Sequence, residues 1–233
     1  MKFIAHRGYS KLELENTKEA FLAAANRSYF GIETDVVKTK DGYFVLFHDD
    51  DLVRLASDDR KVRDLTYQEL LSVSLNQKGT YHTYDYHIPT LKEYLRICKH
   101  YNKYPVIELK WGLTEEDVDS IMALIIEEDM YDKSMIICYT YSVILYLKYK
   151  YPTYHIQYLL GMLFSEEVIS KCLADLVSID LRHDLVSKEL VDRFHEKGLE
   201  VNVWTVDDKT ICKQMNEYGV DYITTNILEE KDL

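Results

Sequence analysis

Residues 31–36 read Gly-Ile-Glu-Thr-Asp-Val. A strand there sends Ile32, Thr34 and Val36 to one face and Glu33 and Asp35 to the other, because side chains alternate along a strand. The chain returns at Phe47-His48-Asp49, after an Asp41-Gly42 pair that signals a two-residue hairpin turn between β-rich runs. Pairing across such a turn sets Asp35 opposite His48. Two carboxylates and an imidazole at one point suit a metal ion held beside a proton-transfer group. The alternative is a polar edge hairpin with solvated charges.

Two more short runs carry matching chemistry, His6-Arg7-Gly8 and Glu108-Leu109-Lys110. Residues two apart on a strand are roughly 6.6 Å apart along it, so Glu33 and Asp35 can lean toward one ion at ligand distances of about 2.1 to 2.5 Å. Together with Glu108 they offer an all-oxygen donor set, which favours Mg²⁺ or Ca²⁺ over zinc. The competing role for these carboxylates is salt bridging to Arg7 and Lys110, which leaves His6 and His48 without a purpose. An imidazole near its reference pKa gives or takes a proton at neutral pH. Arg7 offers bidentate phosphate recognition, and Lys110 a compact charge for a developing oxyanion. His82, His87, His100, His155, His183 and His195 fall in other places and are read as non-catalytic.

These groups must be positioned by regular elements, and short apolar runs alternate with amphipathic segments along most of the chain. A strand from Phe3 to His6 precedes a helix capped at Asn16-Thr17 and running to about Arg27. The carboxylate strand and its hairpin follow. Residues 50–88 form one long irregular stretch, with a short helix expected at Thr66 to Val73; its length without a clear core element suggests a lid-like insertion. Strands are then expected at Val106–Lys110, Met135–Tyr139, His155–Leu160, Leu176–Leu181, Glu200–Thr205 and near Tyr222–Thr224, each preceded by one helix. With the hairpin counted as an excursion, this makes a (β/α)8 TIM barrel, an open doubly wound sheet being the other possibility. The barrel reading takes residues 1–233 as a single domain with a small insertion after the second strand.

In such a barrel, chemistry sits at the C-terminal ends of the strands. The polar residues there are His6, Arg7, Glu33, Asp35, Glu108, Lys110, Asp180, Asn202 and Trp204. Their parity agrees: Ile4 shares a face with His6, Val106 with Glu108 and Lys110, and Asn202 with Trp204, whereas Ile107, Leu109 and Val203 face the helices.

Composition narrows the partners. With 40 acidic against 28 basic residues the net charge is −12, which argues against nucleic-acid or anionic-membrane binding through general electrostatics. An anionic substrate then needs local positive charge. Cys98, Cys138, Cys172 and Cys212 are widely spaced with no CxxC pair and read as reduced, mostly buried thiols. No apolar leader or run of membrane-spanning length is seen, so the expectation is a soluble cytoplasmic protein without stable membrane insertion. Oligomeric state is left open.

The ordered set His6-Arg-Gly, Glu15-Asn-Thr, Gly31-Ile-Glu-Thr-Asp35, Lys40-Asp-Gly, Phe47-His-Asp49, Ile88-Pro-Thr, Ile107-Glu-Leu-Lys110 and Val203-Trp-Thr-Val206 resembles the glycerophosphodiester phosphodiesterases from Lys2 to about Asn226. The resemblance implies a TIM barrel with an inserted segment after its second strand. It also implies one divalent cation on Glu33, Asp35 and Glu108, acid–base work by His6 and His48, and phosphate contacts from Arg7 and Lys110. Glu15 matches a motif that supports the site, and orienting Arg7 is preferred to ligation. Three departures stand out: Leu14 replaces a usual Pro, Arg54-Leu-Ala56 stands where Arg-Thr-Thr is common, and Thr224-Thr-Asn226 replaces Thr-Asp.

The reaction expected is hydrolysis of a glycerophosphodiester to glycerol 3-phosphate and an alcohol, through a cyclic phosphate or by direct attack of water. Trp204 would pack on the glycerol carbons. Tyr81, Tyr84 and Tyr86 alternate as lid aromatics would, or simply pack in the loop. A short polar insertion favours soluble deacylated diesters such as glycerophosphocholine. A lysophospholipase D or sphingomyelinase D-like enzyme would keep the same catalytic set but needs an apolar groove; a non-enzymatic phosphate-binding module is the remaining alternative.

Overall fold

A computed structural model describes residues 1–76 and 86–233. Strand β1 (Lys2–Ala5) leads to helix α1 (Lys18–Ala25), then β2 (Gly31–Lys38) and a short returning strand β3 (Phe44–Leu46). The stretch that follows contains helices α2 (Val53–Ala56) and α3 (Tyr67–Leu70). From α4 (Leu91–His100) and β4 (Tyr104–Leu109) the alternation is regular: α5 (Glu115–Glu127), β5 (Met135–Cys138), α6 (Tyr141–Lys150), β6 (His155–Leu160), α7 (Glu166–Ala174) and β7 (Ser178–Arg182). Helix α8 (Lys188–His195), β8 (Val201–Trp204), α9 (Lys209–Tyr218) and β9 (Tyr222–Thr225) complete it.

Strands β1, β2 and β4–β9 pair in parallel, and β1 closes the ring by pairing with both β2 and β9. This is the closed (β/α)8 barrel, with β3 hydrogen-bonded antiparallel to β2 outside the ring. Period-two alternation sorts the side chains. Ile4, Val106, Met135, Ile137, Leu159 and Tyr222 pack inside the barrel, while Phe3, Ala5, Ile32, Val36, Ile107, Leu109 and Val203 join the larger core beneath the helices. The expected parity of the strand ends therefore holds.

Helix starts follow from capping. The side chains of Thr17, Thr90, Thr114, Ser165, Ser187 and Asp208 each accept an N–H of the first turn. Helix α4 also fixes the two carboxylate-bearing strands to each other. Its buried Tyr94 donates its hydroxyl to Ile32 O (2.5 Å) and accepts from Val106 N (3.2 Å), bridging β2 and β4.

Two expectations need correction. The hairpin register is one residue away from that of a two-residue turn: Val36 pairs with Leu46 and Lys38 with Phe44, and Phe47 N donates to Asp35 O. Asp35 thus faces Phe47, not His48. Thr39 and Tyr43 bracket three loop residues, with Gly42 N bonding Thr39 O and Gly42 at φ +91°, a left-handed position suited to glycine in a three-residue hairpin loop. The described residues of the 50–88 stretch are also less irregular than expected. Leu52, Leu55, Val62, Leu65, Leu70, Val73, Leu75 and Ile88 bury one another with Phe47 and Leu14 as a satellite core. Tyr86 belongs to that core and donates to Glu13 (2.8 Å), so it is packed and not lid-like. Tyr81 and Tyr84 lie outside the described residues.

All four cysteines are buried and unpaired. Among the described residues no helix is long and apolar enough to cross a membrane.

Candidate active site

The C-terminal ends of β1, β2 and β4 converge on three buried carboxylates. Parallel pairing of β2 with β4 sets Asp35 beside Glu108, and one oxygen each from Glu33, Asp35 and Glu108 lie within 4.8 Å of one another. The loop after β1 completes the cluster. Arg7 sits at φ 54° and Gly8 at φ 79°, a turn that aims the Arg7 N–H at Glu33 Oε2 (2.8 Å). Gly8 is required there, since a Cβ would lie 2.6 Å from the Ala20 backbone of α1.

The electrostatics are unbalanced in a way that a cation would correct. Burial and the neighbouring carboxylates Asp35 and Glu108 drive the Glu33 pKa well above the usual range. Burial and Asp35 likewise push Glu108 up to about 7. Burial acts the same way on Asp35, but Arg7 and Lys110 outweigh it and hold that carboxyl low. Arg7 Nε and Lys110 Nζ each approach Asp35 at 3.2 Å, and Lys110 also reaches Glu108 at 2.7 Å. The salt-bridged arrangement thus accompanies the cluster, and the fully buried Asp35 Oδ1 has the Lys110 ion pair at 3.2 Å but no well-formed hydrogen bond among the described residues. Three buried carboxylates within 4.8 Å of one another, met among the described residues by only two cationic side chains, form an all-oxygen set that fits a hard divalent cation.

Glu15 accepts from Arg7 Nη1 (2.8 Å), the contact expected of a group that orients Arg7. Arg54 clamps Glu15 through both its terminal nitrogens and Asp49 through Nε (2.6 Å), so the insertion is tied directly to the site. Asn16 is a contributor that sequence reasoning assigned only to helix capping. Its amide donates to Asp35 Oδ2 (2.8 Å) and its oxygen accepts from Thr34, while Thr17 is the helix cap.

The two histidines flank this cluster. His6 Nδ1 lies 2.8 Å from Asn226 Oδ1 and its Nε2 4.0 Å from Glu33. Asn226 donates its amide to Asp207 (2.6 Å), so its oxygen is the atom turned toward His6, and it must accept. Nδ1 therefore carries the proton and Nε2 is free to accept one. Burial, followed by Arg7, pushes the His6 pKa down to about 4. His48 Nδ1 lies 2.6 Å from Asp49 Oδ1; burial lowers its pKa, against the opposing pull of Asp35. Despite the shifted register, His48 lines the same inner cavity as His6, Arg7, Glu33, Glu108, Lys110 and Trp204.

Asn226, Asp207 and Asp49 were not among the expected site residues. Asn226 follows the last strand, a location where a polar residue signals a contribution to the barrel mouth. Asp180 lines the inner cavity too, whereas Asn202 is buried without lining it; burial drives the Asp180 pKa well above the usual range. His155 and His195 pair elsewhere, with Glu200 and Asp221.

The glycerophosphoryl diester phosphodiesterase family model matches residues 6–230. A glycerophosphodiester phosphodiesterase of Caldanaerobacter subterraneus subsp. tengcongensis is 29 % identical over 96 % of this chain and 93 % of its own. The crystal structure of a glycerophosphodiester phosphodiesterase from Thermotoga maritima is 27 % identical, with TM-score 0.80, over 97 % of this chain and 94 % of that one. A phosphodiesterase from Oleispira antarctica, solved with its product sn-glycerol-3-phosphate, shares the fold at TM-score 0.88 and 22 % identity, covering 97 % and 93 % of the two chains.

Proposed function

The chain belongs to the glycerophosphoryl diester phosphodiesterase family, and on that premise we propose that it hydrolyses glycerophosphodiesters to glycerol 3-phosphate and an alcohol in a metal-dependent reaction, with His6 and His48 as proton-transfer groups. The family makes it a phosphoric diester hydrolase acting on a small molecule. The observation that carries the finer reading is the buried carboxylate cluster with both histidines lining the same cavity.

Glu33, Asp35 and Glu108 would hold the ion, Mg²⁺ or Ca²⁺, which when bound supplies Lewis-acid activation of a hydroxyl and charge neutralisation at the phosphate. With the carboxylate charge met in this way, Arg7 and Lys110 are left to bind phosphate oxygens, Glu15 holding Arg7 in place. Trp204 lines the cavity wall where the glycerol carbons would pack.

His6, neutral and with Nε2 unprotonated, accepts the proton of the glycerol hydroxyl next to the ester as that oxygen attacks phosphorus. His48 in its protonated form, supported by Asp49, gives its proton to the departing alcohol. Water then opens the cyclic phosphate with the roles reversed: His48 takes a proton from water and His6 returns its own to the glycerol oxygen. Both groups end as they began. In the direct alternative, water is the nucleophile and the same two transfers suffice.

Residues 1–233 are read as one domain, with residues 50–88 as the inserted segment, whose Asp50 and Arg63 line the groove beside the catalytic cavity. Cytoplasmic location is retained as part of this proposal. The test is a panel of glycerophosphodiesters assayed with and without EDTA. Hydrolysis that disappears with chelator and returns with one cation is expected; a panel untouched under every cation would leave a phosphate-binding module as the better reading.

A further inference from the structure

Beside the catalytic cavity opens a larger groove of about 750 Å³, within the range of small-molecule sites. The two are continuous: His48, Lys110, Tyr139, Leu159 and Trp204 line both. The groove's outer wall comes from three successive strand-end loops, with Trp111 after β4, Tyr139 after β5, and Met162 and Leu163 after β6. Three of these side chains face water to an unusual degree, Trp111 at 77 %, Met162 at 94 % and Leu163 at 67 %. Adjacent strands place them side by side, so they form a contiguous apolar surface and not scattered singles.

Two further observations point to what the surface covers. Gly161 lies against the Trp204 ring, where an added Cβ would be in ordinary contact at 3.4 Å, so Trp204 forms the shared wall between cavity and groove. The charges on the rim are already matched, Arg182 with Asp184 (2.6 Å) and Arg63 with Asp50 (3.4 Å). A polar leaving group thus finds little to bind along this wall, whereas a hydrocarbon chain would cover it.

We infer that the groove receives a hydrocarbon chain of the substrate, and that the enzyme acts on glycerophosphodiesters carrying one acyl or alkyl chain on the terminal glycerol oxygen. This rests on the phosphodiesterase reading of the site above. With the phosphate at the carboxylate cluster and the glycerol against Trp204, the chain runs outward past Tyr139 onto Met162, Leu163 and Trp111. A single chain also leaves the middle hydroxyl free to attack phosphorus, which a two-chain lipid does not. The deacylated diester expected from the polar insertion would occupy only the inner end of the groove.

The experiment compares kcat/KM for glycerophosphocholine and for 1-acyl glycerophosphocholines of increasing chain length, all as monomers below their micelle-forming concentrations. The expected result is a rise of about two- to fourfold per added methylene. The double variant Met162→Ser/Leu163→Ser, altered only at exposed positions, should flatten that rise while glycerophosphocholine turns over at the wild-type rate. Turnover of glycerophosphocholine with no gain from the chain would overturn this inference and leave the phosphodiesterase reading intact. A gain seen only in micelles or vesicles would also overturn it, in favour of adsorption to a lipid surface. Failure to hydrolyse any member of the series would reject both.

Discussion

His6 Nδ1 stands 2.8 Å from Asn226 Oδ1, across the seam where the first and last strands close the barrel. Asp207 holds Asn226 by its amide and by its backbone N–H (2.8 Å), and Ser10 donates to the same Asn226 oxygen (2.8 Å). This chain of contacts selects the His6 tautomer whose Nε2 faces the carboxylates. Asn226→Ala should therefore lower kcat by about 10- to 100-fold with a smaller change in KM. Steady-state kinetics on glycerophosphocholine check this, and a variant with altered KM alone would assign Asn226 to substrate binding.

Both histidines carry protons in the proposed cycle, so neither can be spared. His6→Ala and His48→Ala should each cut turnover by about 10² to 10⁴ while circular dichroism and Tm stay close to wild type. Full activity in either variant would remove that residue from the mechanism.

Cation binding can be read without catalysis. Stripped of metal, the protein holds Glu33 against Asp35 and Glu108 in a buried site. Saturation at a hundredfold excess over Kd stabilises a folded state by about 2.7 kcal/mol, which at this chain length is a Tm rise of roughly 5–10 °C. Glu33→Gln removes the cost of holding that carboxyl, ionised or protonated, buried beside Asp35 and Glu108. It should raise the Tm of the stripped protein and weaken the response to added cation; an unchanged response would place the ion elsewhere.

Asp180 gives a pH signature. It is buried, its Oδ1 makes no hydrogen bond among the described residues, and burial, with Glu108 as the smaller cause, drives its pKa well above the usual carboxylate range. The folded protein thus keeps a proton that the unfolded chain releases above about pH 4. Stability from this group is full below that value and is lost as pH rises through the raised folded-state pKa. Asp180→Asn has no such proton to lose, so the Tm of the stripped variant should fall less than the wild type's between about pH 5 and pH 8. Equal slopes would contradict the shift.

The barrel and most of the site were legible because both rest on local rules. Alternation along each strand sends Val106 and Glu108 inward and Ile107 and Leu109 outward, and the fold class places chemistry at the strand ends. The hairpin register is not fixed by Asp41-Gly42, which suits more than one turn; the left-handed Gly42 serves here in a three-residue loop. The satellite core around Leu52, Leu55 and Leu70 was hidden because its apolar residues follow no single period. Asn226 and Asp207 could not be assigned to His6 from spacing, because only closure of β1 on β9 brings residues 6 and 226 together. The apolar groove was invisible for the same reason: Trp111, Tyr139 and Met162 lie on separate loops that become neighbours only in the closed sheet.

Cation-dependent hydrolysis of a glycerophosphodiester is the central claim. Phosphorus NMR of glycerophosphocholine mixed with chelator-stripped protein, before and after adding Mg²⁺ or Ca²⁺, tests it most directly. The predicted result is a diester resonance that persists without the ion and converts to that of glycerol 3-phosphate when it is supplied, with any cyclic phosphate seen on the way. A diester that remains unchanged with either ion, or that is consumed equally fast without one, would contradict it.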